Sequence, residues 1–149
     1  MKDMIASKTK SGFTLLEVLI VIGILSVFLL SAITISIVSV RNLKSSENKI
    51  LGTRYAEGLI EWIRGEKDAD WDIFISKVGV WCFNQEDIHW PQVTGNCVSE
   101  DKLNLIFDRE ATIAYDNDLE RAVVSVDVFW DEGSETVEVP ISTILEKYE

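Results

Sequence analysis

Residues 13–40 read FTLLEVLIVIGILSVFLLSAITISIVSV, 28 residues that hold one charged side chain, Glu17, and no proline. At about 1.5 Å per residue the run predicts a helix of roughly 42 Å, longer than the roughly 30 Å hydrocarbon core of a bilayer. A cleaved secretory signal or a buried helix of a soluble protein usually offers only about 7 to 15 apolar residues. Ile37-Val38-Ser39-Val40-Arg41 is also a poor site for an export cut. The run therefore predicts a membrane-spanning helix.

Before it stands MKDMIASKTKSG, with Lys2, Lys8 and Lys10 against Asp3; after it come Arg41, Lys44, Lys49 and Arg54. Positive charge on both flanks leaves the orientation open. Cysteine usage favours one. Cys82 and Cys97 enclose 14 residues, with no histidine beside either, which disfavours a zinc site. Paired in a small domain they predict a disulfide and an oxidising compartment, hence an N-terminus inside and a C-terminal domain outside. Such a loop closure stabilises by roughly 3 kcal/mol in the chain-entropy model. Two unpaired thiols are the other reading.

Glu17 carries the most information. A charge at the centre of a membrane helix costs at least about 2.5 kcal/mol, so one that persists there needs a function and a partner. Residues 13–40 contain no Lys, Arg or His to pair with it. A cut between Gly12 and Phe13 would create an α-amino group one helical turn before Glu17, and in a bundle the amine of one subunit could meet Glu17 of the next. Alternatively, Glu17 sits near the interface, snorkelling or protonated.

The stretch Ser11-Gly12-Phe13-Thr14-Leu15-Leu16-Glu17-Val18-Leu19-Ile20 resembles the class III signal of type IV pilins and type II secretion pseudopilins. Glycine, then Phe-Thr-Leu, then glutamate five residues after the cut, follow a short basic leader and open a long apolar run. The resemblance implies cleavage after Gly12 by a prepilin peptidase/methyltransferase, N-methylation of Phe13, and a role for Glu17 in guiding subunits into a filament. It also implies other pilin subunits and assembly-platform membrane proteins as partners. Where many major pilins carry a helix-bending proline this chain has Thr34, which predicts a straighter helix. Removing Lys2, Lys8, Lys10 and Asp3 from 14 basic and 25 acidic side chains leaves 11 against 24.

Beyond residue 40, Leu43, Ile50, Leu51, Tyr55, Leu59, Trp62 and Ile63 recur at helical spacing, and Arg41, Lys44, Glu47, Arg54, Glu57 and Glu61 fall on the opposite face. This predicts an amphipathic helix over 41–65, stopped at Gly65, then a loop over 66–102 and a sheet over 103–149. Residues 103–107, 111–115, 121–130 and 135–141 read as strands, the last two joined by a hairpin turn at Asp131-Glu132-Gly133-Ser134. An antiparallel sheet on the helix gives an α+β fold, in agreement with the pilin fold that the resemblance implies. Domain boundaries follow: leader 1–12, membrane or filament-core helix 13–40, exported head 41–149. The segment 55–64, YAEGLIEWIR, with Asp68-Ala69-Asp70-Trp71 behind it, resembles minor-pilin-like proteins of the PilV type.

The net charge of -11 disfavours nucleic acid, which is held through Lys and Arg, so no direct nucleic-acid partner is expected. The sole histidine, His89, has no nucleophile motif around it, and the chain reads as a non-enzyme without a cofactor. Asp68, Asp70 and Asp72 alternate like a calcium loop, but Ile73 and Gly79 stand where an EF-hand needs Gly and Glu. They read as an acidic loop, and Asp116-Asn117-Asp118 as a turn. Trp71, Trp81, Phe83 and Trp90 suggest a core or a flat ligand site. The rival to a filament subunit is a single-pass, signal-anchored envelope protein with a Trp-rich ligand-binding head.

Overall fold

The computed structural model describes residues 12, 14–98 and 102–147. It is α+β, with helix α1 (Leu15–Ala69), a short helix α2 (Trp71–Ile75), and strands β1 (Gly79–Cys82), β2 (Asp108–Asp116), β3 (Arg121–Glu132) and β4 (Glu135–Glu146). The strands form one antiparallel sheet in chain order. Two compact units divide after Leu43. The leader residues 1–11 and Phe13 lie outside the described residues.

In the first unit α1 is apolar on every side and every side chain is exposed. In the second unit the helix turns one face to the sheet. Period 2 along β3 places Ala122, Val124, Val126, Val128 and Trp130 on the inner face, all buried, beside Ala111 and Ile113 of β2 and Leu145 of β4. Against them α1 sets Gly52, Ala56, Leu59, Ile60 and Ile63. Burying each large apolar side chain contributes about 1.5 to 3 kcal/mol.

The helix approaches the sheet closely at Gly52. A Cβ there would lie 3.0 Å from Cζ3 of Trp130 and 3.6 Å from Cγ1 of Val128. Trp130 cannot retreat. Its ring is buried, meets Phe107 edge to face at 5.3 Å, and its indole N–H donates to Glu132 at 2.8 Å. That hydrogen bond, with a further one to Ser45, outweighs burial and holds the Glu132 carboxyl below its ordinary value of 4.5.

Several local expectations are corrected. The amphipathic stripe is rotated: Leu43 and Ile50 are exposed, while Gly52, Ala56 and Ile60 are buried. The helix does not stop at Gly65 but runs to Ala69, because Glu66 bonds the Trp90 indole and Lys67 is buried beyond it. Residues 103–107 are a turn rather than a strand, with Leu103 and Phe107 bonded to each other and positive φ at Asn104 and Leu105. Their two anchors, Leu103 and Phe107, are both buried and stand four apart. The 66–102 loop contains α2 and β1, and β2 begins at Asp108 rather than at residue 111. The hairpin falls where expected. Glu132 pairs with Glu135 across Gly133-Ser134, and Gly133 takes φ +71.

Two predictions follow from this packing, both read by thermal melting of the detergent-solubilised chain. Gly58 has nothing within 4 Å of an added Cβ, so Gly58→Ala should stabilise by about 1 kcal/mol through helix propensity. Gly52→Ala gains the same propensity but presses on Trp130, and should destabilise by a net of about 1 kcal/mol; equal stabilisation by both would refute the close approach. A carboxyl held low in the folded state contributes stability above the unfolded value of 4.5 and loses it as pH falls through the folded value. Wild-type melting temperature should therefore drop more steeply than that of Glu132→Gln below about pH 4.5, and parallel slopes would remove Glu132 from the account.

Candidate processing and assembly site

Helix α1 starts at Leu15 because Thr14 caps it. The Thr14 carbonyl accepts the N–H groups of Glu17 at 3.1 Å and Val18 at 3.3 Å, and its hydroxyl accepts the Glu17 N–H at 3.3 Å. Thr14 is thus the N-cap and Glu17 the third helical residue, the spacing of a capping box. A carboxylate in the first turn also meets the positive end of the helix dipole, typically worth about 0.3 to 1 kcal/mol. The Thr14-Leu15-Leu16-Glu17 spacing carried this signal in the sequence. Gly12 lies just before the cap in exposed, irregular chain, and Glu17 is itself exposed.

Downstream, the hydroxyls of Ser26, Ser31, Thr34 and Ser36 each donate to the carbonyl four residues back, at 2.8, 2.9, 3.0 and 2.9 Å. These four hydroxyls are therefore satisfied inside the helix, as hydrocarbon surroundings require. α1 passes through Thr34 without interruption. Among the described residues it is the one helix long and apolar enough to cross a membrane, and none of its most apolar stretch is buried.

Residues 7–33 match the family model described as the prokaryotic N-terminal methylation motif. The match supports a type IV pilin-like protein. No curated protein and no solved structure matches the chain. With the long apolar helix behind it, the signal suggests membrane anchoring, and it implies processing by a prepilin peptidase and assembly with other pilin subunits.

In the second unit, Cys82 and Cys97 form a disulfide with Cα atoms 5.0 Å apart. The loop it closes is held from below by Arg109. This buried guanidinium donates to the carbonyls of Phe83 at 2.9 Å, Gln85 at 3.0 Å and Tyr55 at 3.4 Å, tying α1 to the loop. Burial lowers its pKa to about 10, so it stays charged at neutral pH. Arg109 does not stand out in the sequence because the strand pattern read at 111–115 starts three residues after the true start of β2 at Asp108. Once β2 is extended, Arg109 shares its inward parity with Ala111 and Ile113.

The aromatic residues divide into two groups. Trp62, Phe83, Trp81 and Trp90 pack on one another at 5.3 to 5.7 Å, with the Lys77 ammonium over two of the rings. Trp71 instead joins Phe74 and Tyr115. These rings are packing elements and form no flat exposed platform. Asp70 caps α2 by accepting the Ile73 N–H at 2.9 Å, and Asp116 accepts from Asp118 and Leu119 and pairs with Arg121. His89 is exposed, with its Nδ1 2.7 Å from the Asp87 carbonyl.

Removing the Arg109 guanidinium leaves buried carbonyls unmatched. Arg109→Met should therefore cost about 3 kcal/mol, and Arg109→Lys should not restore it, since one ammonium cannot span three acceptors. A loss below about 1 kcal/mol in denaturant titration would show the clamp to be dispensable.

Proposed function

We propose that the chain is a prepilin-type filament subunit, a minor pilin or pseudopilin, cut between Gly12 and Phe13 and N-methylated on Phe13. The observation that carries this reading is the methylation motif at residues 7–33 running into a capped apolar helix that nothing covers. The N-terminus faces the cytoplasm and the disulfide-bearing unit lies outside, anchored in the cytoplasmic membrane before assembly and in a pilus or pseudopilus after it. The peptidase/methyltransferase, sister subunits and assembly-platform membrane proteins are its partners. The minor role rests on Thr34 and on the PilV-like segment 55–64.

The mechanism is a change of solvent for the apolar helix, from lipid to the helices of neighbouring subunits. The helical backbone and four of the hydroxyls of this segment already bond internally, so the move turns on one charge. Glu17 supplies the anion. Cleavage supplies the cation, as the new amine of Phe13, and Glu17 of one subunit pairs with the amine of its neighbour.

The reading is tested on protein from its own membranes or sheared surface filaments, by intact mass and N-terminal sequencing. The expected chain begins at N-methylated Phe13, whereas a chain still beginning at Met1 in cells with active peptidase would overturn the proposal. Glu17→Gln keeps a capping-box residue while removing the charge. It should reduce filament incorporation at least about tenfold with membrane levels unchanged, the equivalent of about 1.4 kcal/mol, and normal incorporation would remove the ion pair from the mechanism.

A further inference from the structure

The disulfide loop does more than close the chain on itself: it walls a cavity of about 580 Å³, lined among others by Gln85, His89, Gln92, Pro91 and Val93. That volume lies within the range of small-molecule sites. The walls are fixed by independent ties. Cys82–Cys97 closes the loop, Arg109 holds the Phe83 and Gln85 carbonyls, the Trp90 indole donates to Glu66 at 2.7 Å, and the Gly95 N–H donates to the Val80 carbonyl at 2.7 Å. A loop backbone so held saves the cost of ordering it on binding.

The lining has a definite chemistry. Asn84 is engaged by Asp108 and by the Arg109 N–H, but the side-chain amides of Gln85 and Gln92 have no protein partner among the described residues. A carbonyl only accepts, so His89 donates its Nδ1–H to Asp87, and in the neutral ring Nε2 remains an acceptor. Among the described residues no charged side chain lines the cavity, and Pro91 and Val93 add an apolar surface.

We propose that this cavity is a binding site for a neutral, N-acetylated sugar of about disaccharide size. Each carboxamide places a donor beside an acceptor, the complement of an acetamido group, while Nε2 of His89 accepts from a hydroxyl and Pro91 and Val93 meet the apolar face of a pyranose ring. Among the described residues the lining offers no carboxylate for a cation, and the chain's net charge of -11 repels anions. A peptide main chain carries the same amide pair, but strand addition requires a run of open edge, and β1 supplies four residues. The site is independent of filament assembly.

Calorimetry of the full chain, in a zwitterionic detergent without a sugar headgroup, tests the proposal with N,N′-diacetylchitobiose, cellobiose and N-acetylglycine methylamide. The expected result is saturable binding of diacetylchitobiose, at least about fivefold tighter than cellobiose, and at least about tenfold weaker in the Gln85→Ala, Gln92→Ala double variant at unchanged melting temperature. Both side chains are exposed, so the fold does not depend on them. Gln92→Glu, which keeps the length but brings a charge, should also weaken it. The proposal is overturned by absence of saturable binding, by equal binding in these variants, or by an amide that binds as tightly as the sugar.

Discussion

A helix that is apolar on every side has no stable place in water, and the first unit of this chain is such a helix. Each of its large apolar side chains is at least about half exposed, so the segment demands either lipid or other helices. The demand extends to polar groups, because an unpaired donor in hydrocarbon costs several kcal/mol, roughly that of a transferred amide. The sequence meets it locally. Four hydroxyls bond to carbonyls one turn back, and Thr14 takes up the amide of Glu17 at the helix start. Under the proposed reading, the carboxylate of Glu17 is the group through which this helix discriminates between lipid and a partner.

The second unit solves the opposite problem, that of building a core around half a helix. Gly52 lets α1 approach the sheet until Trp130 fills the contact, and the indole is in turn fixed by Glu132. Farther along, Arg109 replaces apolar packing with three carbonyl bonds, two of them to the loop that the disulfide closes. The loop is thus tied by a covalent bond, a guanidinium and an indole. Redundant ties of this kind keep an irregular segment in one conformation, since each alone would leave part of the backbone free to exchange with water.

The α+β class, the long helix, the β3–β4 hairpin and the cysteine pair were legible in the residues, because each rests on a local pattern: an apolar run, period 2, a glycine turn, two cysteines. What was not legible depended on distant partners. Gly65 reads as a stop, yet Glu66 and Lys67 gain contacts that carry the helix past it. Leu103 and Phe107 read as a strand, yet they face the same core from the two ends of a turn. At four residues β1 is too short for alternation to register. The site divides likewise: Glu17 stands out as a lone charge, the Thr14 cap was visible but unread, and Arg109 needed the strand register to face inward.

Two charges, Arg109 and Glu17, make the contrast that explains the chain. Arg109 is desolvated enough to lower its pKa to about 10, but the fold gives it three acceptors, so its charge is spent within one molecule and serves stability. Glu17 shares a helix with no cation between residues 13 and 40. Its amide bonds within the chain, while its carboxylate gains there only from the helix dipole. A charge matched inside the chain holds a fold together; a charge left unmatched in an apolar layer favours whatever brings it a counter-charge. Under the proposed reading that counter-charge is made by the cut that precedes assembly. The same residue would then both require processing and reward association.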